Sequence, residues 1–256
     1  MLFSIITPSL NQGPWLEENL ASVRNAGGNV EHIVIDGGST DDTVDILRRQ
    51  NSATWISEPD TGQTDAINKG LRRSTGDILG YLCADDFLET DALRLVADAF
   101  LADSSRQVVF GDAWFLEGES GWKRRKSAGK FTSDRLRRGN FLLQPAVFWR
   151  RSVYEHFGEF DPRLQFCMDH EYWLRIGPYT RWHHLAVPLA TCRLHGGAKT
   201  SRALTTAWQE AATMQARYGI FLRPRLEALW MRCGGQTYYG MKRALFSQLG
   251  RHRRSR

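Results

Sequence analysis

Two adjacent carboxylates, Asp85-Asp86, follow the mostly apolar run Ile78-Leu79-Gly80-Tyr81-Leu82-Cys83-Ala84. The segment Asp77–Ala84 reads as a buried strand of a largely parallel sheet, and ligands of such sheets bind beyond the carboxyl ends of the strands. Neighbouring carboxylates there repel each other and resist burial unless a cation or hydrogen bonds compensate. A divalent metal carrying a diphosphate is the simplest compensation, because hard cations prefer oxygen ligands and phosphates complete their shell. A solvated strand-end turn is the competing reading of the pair. Asp169 is a further acid of interest. It lies at the start of a predicted helix, Asp169–Arg175, where a carboxylate is favoured. Taken alone it reads as an N-cap contributing about 1 kcal/mol.

Three earlier loops share the polar character of the Asp85-Asp86 turn: Thr7-Pro8-Ser9-Leu10-Asn11-Gln12, Asp36-Gly37-Gly38-Ser39-Thr40-Asp41 and Glu58-Pro59-Asp60-Thr61-Gly62-Gln63. Each follows a predicted strand: Leu2–Thr7, Glu31–Asp36 and Ala53–Ser57. Helices are predicted over Pro14–Asn25, Asp42–Arg49, Gln63–Arg73 and Asp91–Ala102, and strands alternating with helices imply a doubly wound sheet. All four loops then fall along one edge. The glycines at 37, 38 and 62 let a ligand approach the backbone closely, and Asp36 is placed to accept a hydrogen bond from a base or ribose. A further strand is expected at Gln107–Gly111. The second half is less regular, with strands at Pro145–Trp149 and Ala186–Leu194 and helices at Ser152–Phe157 and Thr205–Tyr218. One principal domain, 1–220, is expected, with a helical extension over 221–256.

The chain of 256 residues is 42% hydrophobic, enough for one substantial core. No apolar run approaches the ~20 residues that span a bilayer. The N-terminal residues lack a basic n-region and cleavage site and read as a first strand. Cys83, Cys167, Cys192 and Cys233 are scattered and fit reduced thiols of a cytoplasmic protein rather than a zinc site or disulfide framework. The net charge of +6 is uneven: 221–256 holds nine Lys/Arg against one acid, and 121–138 holds eight against one. Such segments suit anionic partners. The basic, aromatic-containing tail is suited to the inner face of an anionic membrane, where each Lys/Arg adds roughly 1 kcal/mol; a solvated helix pair is the alternative.

The ordered motifs resemble the family 2 glycosyltransferases of the GT-A fold, which move a sugar from a nucleotide donor to an acceptor. The resemblance runs from about Ser4 to His195. It rests on Thr7-Pro8-Ser9-Leu10-Asn11, Val34-Ile35-Asp36-Gly37-Gly38-Ser39-Thr40-Asp41-Asp42-Thr43, Glu58-Pro59-Asp60-Thr61-Gly62 and Asp65-Ala66-Ile67-Asn68-Lys69-Gly70. Gly76-Asp77-Ile78, Ala84-Asp85-Asp86, Gln144-Pro145, Met168-Asp169-His170-Glu171-Tyr172-Trp173-Leu174-Arg175 and Arg193-Leu194-His195 continue it. The resemblance implies a GT-A nucleotide-diphospho-sugar transferase fold with a C-terminal helical extension. It puts Pro8, Ser9, Asn11, Asp36, Asp60, Asp65 and Asp85 at the nucleotide, Asp86 and His195 at Mn²⁺ or Mg²⁺, and Asp169 as the general base of an inverting reaction. Many members carry two adjacent acids where this chain has Asp36-Gly37, so a base contact from the second acid cannot come from Gly37. The polar loop after His195 is expected to close over the donor diphosphate, with Lys199 facing the leaving group.

The expected partners are a nucleotide-diphosphate sugar, a UDP-sugar foremost, and a glycan or lipid-linked acceptor of surface polysaccharide or lipopolysaccharide assembly. A nucleotidylyltransferase would need a Gly-rich, Arg/Lys-containing loop after the first strand, which this chain lacks. A non-catalytic nucleotide-sugar or glycan-binding module would not need Asp85, Asp86 and Asp169 together. Nucleic acid is not an expected partner, since it would account for the basic segments but not the carboxylates.

Overall fold

The apolar stretch Phe3–Ile6 lies buried at the centre of the sheet, in strand β1 (Leu2–Ser9), flanked on both sides by parallel neighbours. The computed structural model describes residues 1–117, 121–196, 199 and 204–220. By its contacts the chain divides into two units, Met1–Ala211 and Ala212–Arg256, and the candidate site belongs to the first. The basic tail 221–256 and most of the loop after Gly196 lie outside the described residues.

Strands β2 (Asn29–Asp36), β3 (Thr54–Ser57) and β4 (Ile78–Tyr81) join β1 in the order β3-β2-β1-β4, all parallel. Helices α1 (Gly13–Asn25), α2 (Thr43–Arg49) and α3 (Gln63–Arg73) form the crossovers. Parallel pairing puts the loops after β1, β2, β3 and β4 along one edge, as the alternation of elements requires. Strand β4 ends at Tyr81 rather than Ala84. Leu82 N still donates to Ile6 O at 2.9 Å, but the chain then turns, closed by Asp86 N donating to Cys83 O at 2.9 Å. The buried Asn19 amide donates to Cys83 O (3.0 Å) and Asp86 O (2.9 Å), fixing the turn from α1. Apolar character persists past Tyr81 because the turn too is partly buried.

The second half adds β5 (Phe87–Leu88), α4 (Ala92–Ala102), β6 (Val108–Glu117), β7 (Lys123–Lys126), α5 (Ser133–Arg138) and β8 (Val147–Arg150). It continues with α6 (Arg151–Phe157), α7 (Met168–Ile176), β9 (Trp182–Leu194) and α8 (Leu204–Arg217). Here the sheet becomes mixed: β8 pairs antiparallel with β4 and β6, and β9 runs parallel to β6 and antiparallel to β5. Strand β6 extends beyond Gly111 because β7 pairs along its far end. Strands β5 and β7 and helix α5 carry no sequence signal of their own. β5 is too short for periodicity, and Lys123-Arg124-Arg125-Lys126 has the composition of a solvated loop.

A buried acid locks this half together. Asp112 of β6, fully buried, accepts from Arg125 Nε (3.0 Å) and Nη2 (2.7 Å), Ser127 Oγ (3.1 Å) and Ala128 N (3.0 Å), while His184 Nε2 lies 2.7 Å away. Burial works to raise the Asp112 pKa, but the bonds from Arg125, His184, Ala128 and Ser127 outweigh it and hold the carboxyl below its ordinary value. Its stabilising contribution is therefore present at neutral pH and lost as pH falls through the lowered value. Replacing Asp112 with Ala is expected to cost about 3 kcal/mol, the low end for breaking a buried pair because Arg125 can rehydrate; urea unfolding at pH 7 measures it.

Candidate active site

The turn after β4 gathers a donor cluster. Cys83 Sγ and carboxylate oxygens of Asp85 and Asp86 all lie within 4.8 Å of one another. Burial drives the Asp86 carboxyl well above the ordinary carboxylate range. The Asp85 charge adds to the rise, and the Arg193 backbone N–H and guanidinium oppose it. Strand β9 delivers those opposing groups: Arg193 N donates to Asp86 Oδ1 at 2.9 Å and Arg193 Nε to Asp85 O at 3.2 Å. The Arg193 guanidinium is itself placed by an ion pair with Glu18 and by the Trp15 ring, 4.5 Å away. His195 Nε2 sits 3.0 Å from Asp85 Oδ2, with its ring 5.2 Å from that of Trp15.

This donor set fits a divalent cation. Two carboxylates whose repulsion is only partly offset by Arg193, with an imidazole beside them, match the oxygen-rich preference of Mn²⁺ or Mg²⁺. Cys83 is the softest donor and is engaged elsewhere: Gln63 Nε2 donates to its sulfur at 3.0 Å, and the sulfur lies 3.9 Å from Gln144 Oε1. Sequence reasoning names Asp86 and His195 for the metal and Asp85 for the nucleotide. It misses Arg193 and Cys83, which only the β5–β9 pairing and the tight turn bring to the acids.

Along the same edge, the residues assigned to the nucleotide act mainly as braces. Asp36 is fully buried, and its carboxylate accepts from Gly38 N (3.2 Å), Ser39 N (3.0 Å), Ser57 Oγ (2.6 Å) and Ser39 Oγ. It therefore shapes the loop from beneath rather than presenting itself to a base. Asn11 Oδ1 accepts from Thr40 N at 2.8 Å, joining the first loop to the second. Asp65 accepts from Thr61 N at 3.1 Å, and that bond is the largest cause of its lowered pKa. Asp60 Oδ1 accepts from Gly62 N at 2.9 Å. Pro8 and Ser9 close β1 beside Ile35 and Asp36. Ser9 is buried, and its hydroxyl has no hydrogen-bond partner among the described residues.

Asp169 stands in the first turn of α7, whose Met168, Tyr172, Trp173 and Ile176 are buried. Tyr172 stacks 4.4 Å from Phe160, and Trp173 meets Trp149 edge-on at 5.4 Å, so α7 is held rigidly against the core. The Asp169 carboxylate accepts from Asn140 Nδ2 (2.8 Å) and His170 N (2.7 Å). Burial raises its pKa, against the lowering effect of the His170 N–H and charge and of Asn140. The buried Tyr81 phenol is pushed well up by burial, with Asp169, Cys83 and Asp86 adding to the rise; its ring meets Phe160 at 5.6 Å, and Phe160 in turn stacks on Tyr172 of α7. Lys199, expected near the leaving group, donates to Gln165 O (2.6 Å) and Gln63 Oε1 (3.2 Å).

The segment leading into α7 is held by a residue that sequence reasoning overlooks. Glu210 of α8 accepts from Phe166 N and Cys167 N with Oε1, both at 2.6 Å, and from Gln165 N with Oε2 at 2.7 Å. A carboxylate on consecutive amides at a helix start is strongly favoured. In Glu210→Ala, hydrogen exchange at amides 165–167 is expected to rise by roughly ten- to a hundredfold, corresponding to about 1.5–3 kcal/mol of local stability. Exchange in β1 and β4 should not change.

The mixed sheet, parallel over β3-β2-β1-β4 with an acid pair beyond β4, has the architecture of the GT-A fold. Residues 4–158 match the model of "Glycosyl transferase family 2". A PGL/p-HBAD biosynthesis glycosyltransferase of Mycobacterium bovis is 31% identical over 241 residues, covering 90% of this chain and 91% of that protein. The chain belongs to glycosyl transferase family 2. Among solved structures it resembles residues 1–349 of TarS from S. aureus in complex with UDP-GlcNAc, with TM-score 0.64 and 18% identity over 84% of this chain and 65% of that one. It also resembles the mannosyltransferase PcManGT from Pyrobaculum calidifontis in complex with GDP-Man and Mn²⁺, with TM-score 0.62 and 18% identity over 84% of this chain and 63% of that one. The chain thus spans just under two thirds of both solved chains. No helix among the described residues is long and apolar enough to cross a membrane.

Proposed function

We propose that this protein is an inverting, metal-dependent hexosyltransferase that moves a sugar from a nucleotide-diphosphate donor, foremost a UDP-sugar, to a glycan or lipid-linked acceptor. The observation that carries the reading is the Asp85–Asp86 cluster at the end of β4, with Asp169 in the first turn of α7, which packs on β4 through Tyr172, Phe160 and Tyr81. Asp86, Asp85 and His195 would hold Mn²⁺ or Mg²⁺, which when bound supplies positive charge to the donor diphosphate. Asp169 accepts the proton of the acceptor hydroxyl as that oxygen bonds to the anomeric carbon. The bond from that carbon to the diphosphate breaks, its electron pair leaves with the nucleotide, and attack from the opposite face inverts the centre. The raised pKa of Asp169 strengthens it as a base relative to an ordinary Asp. Asn140 and the His170 N–H hold the carboxylate in place.

The wider setting belongs to the same proposal: surface polysaccharide or lipopolysaccharide assembly, at the inner face of an anionic membrane, with 221–256 as a basic extension of the catalytic domain. The basic strand β7 and the tail suit such a face. Calorimetric titration of UDP, GDP, CDP and dTDP with and without Mn²⁺ tests the donor site. Metal-dependent binding of one nucleotide supports the reading. Failure of all four to bind would favour a non-catalytic glycan-binding module.

A further inference from the structure

Parallel strands order the edge of the site. The acid pair that would receive the diphosphate lies at the end of β4, and β1, β2 and β3 follow in sequence to one side. A nucleoside attached to that diphosphate and laid across the end of β1, as ligands of such sheets lie beyond the strand ends, would meet the ends of β2 and β3. Asp36 is buried under four donors of its own loops and has no face to offer. Ser9, at the end of β1, contributes a buried hydroxyl without a partner among the described residues, and its carbonyl accepts from Gly37 N at 2.8 Å.

Gly37 then makes room for a different acid. A Cβ built on Gly37 would lie 2.6 Å from Asp60 Oδ2, an approach that real Cβ atoms essentially never make. The bare Cα therefore lets the Asp60 carboxylate reach from the β3 loop onto the end of β2. One oxygen, Oδ1, is spent on Gly62 N at 2.9 Å, which fixes the carboxylate's orientation. The other, Oδ2, faces Gly37 on the partly exposed side of the loop.

We propose that Asp60 reads the donor's base, its Oδ2 accepting the ring N–H of a base of the uracil, thymine or guanine type. The inference rests on the donor-site reading above and adds the residue that selects the base. A fixed carboxylate is complementary to a ring N–H and opposes the bare ring nitrogen that cytosine and adenine present at the corresponding position. Sites built around one such hydrogen bond reject analogues lacking it, because the buried partner is left unpaired. Gly37 is the enabling residue.

Calorimetry with Mn²⁺ on the whole chain decides the matter, comparing UDP, GDP and CDP on wild type, Asp60→Asn and the double variant Gly37→Asp/Asp60→Gly. The Asn side chain keeps an oxygen for Gly62 N and turns the second position from acceptor to donor, so the loop survives while the reading group is inverted. Wild type is expected to favour UDP or GDP over CDP. Asp60→Asn should weaken the favoured nucleotide by roughly ten- to a hundredfold and narrow or reverse the gap to CDP. The double variant, which delivers a carboxylate to the same place from β2, should recover part of the original preference. An unchanged ratio in Asp60→Asn with intact binding, or a wild type that prefers CDP, would overturn the role of Asp60 and leave the donor site standing. Absence of binding by all three nucleotides in wild type would overturn the donor-site reading and this inference with it.

Discussion

Asp86→Ala is expected to abolish the Mn²⁺-dependent part of nucleotide binding, a loss on the order of a hundredfold or more, since a bound ion contributes several kcal/mol to phosphate recognition. The cause lies in the cluster itself. Asp86 and Asp85 repel, and Arg193 offsets that repulsion with one backbone N–H and one cation already shared with Glu18. Without metal, removing one of the two charges takes away an unfavourable interaction, so the apo variant should melt no lower than apo wild type. Wild type should gain melting temperature on adding Mn²⁺ with UDP, and the variant should gain little. If Asp86→Ala retained full Mn²⁺-dependent binding, the metal would have to sit elsewhere. A His195→Ala variant measured alongside separates the roles, because His195 touches Asp85 rather than Asp86. It should lower metal affinity without eliminating it.

Asp169→Asn is expected to leave donor binding within about twofold of wild type while lowering turnover by roughly 10²–10⁴-fold, the usual contribution of a positioned base. Asn is nearly isosteric and can still accept from Asn140 or His170 N, so the first turn of α7 should persist. A mere N-cap would show the reverse, with lower stability and little effect on rate. The pH profile gives an independent readout. A base must be ionised to act, so kcat/KM should fall as pH drops through the Asp169 pKa. Burial raises that pKa above the ordinary Asp value of about 3.9, and the limb should sit correspondingly high. Asn140 donates to the ionised form, so Asn140→Ala should move the limb still higher. An acid limb that stays in place in Asn140→Ala would show that Asp169 does not set it.

Much of this site is legible in the chain because parallel α/β architecture converts order in sequence into order in space. Strands that end in Ser9, Asp36, Ser57 and Tyr81, separated by helices, fall on one edge with their loops together. The acid pair is visible for the same reason: charge directly after a buried apolar strand is costly unless something pairs with it. Three kinds of information are hidden. Pairings between distant strands bring Arg193 to Asp85 and Asp86, and local sequence carries no record of register between β5 and β9. Hydrogen-bond direction is hidden too, so Asp36 looks like a ligand although four donors of its own loops occupy it. Clamps from afar, such as Glu210 on 165–167, have no motif because any carboxylate on any suitably placed helix would serve.

The amino-acid sequence by itself determined the class of fold and the edge along which the polar loops and the acid pair gather. Those properties follow from local periodicity, from turns and from the cost of burying charge. Tertiary structure alone decided how many donors each acid meets and which of them brace a loop. That division depends on where donors converge in space: the Asp36 carboxylate takes four hydrogen bonds, while Asp60 takes one from Gly62 N through Oδ1 and reaches over a glycine that leaves it room.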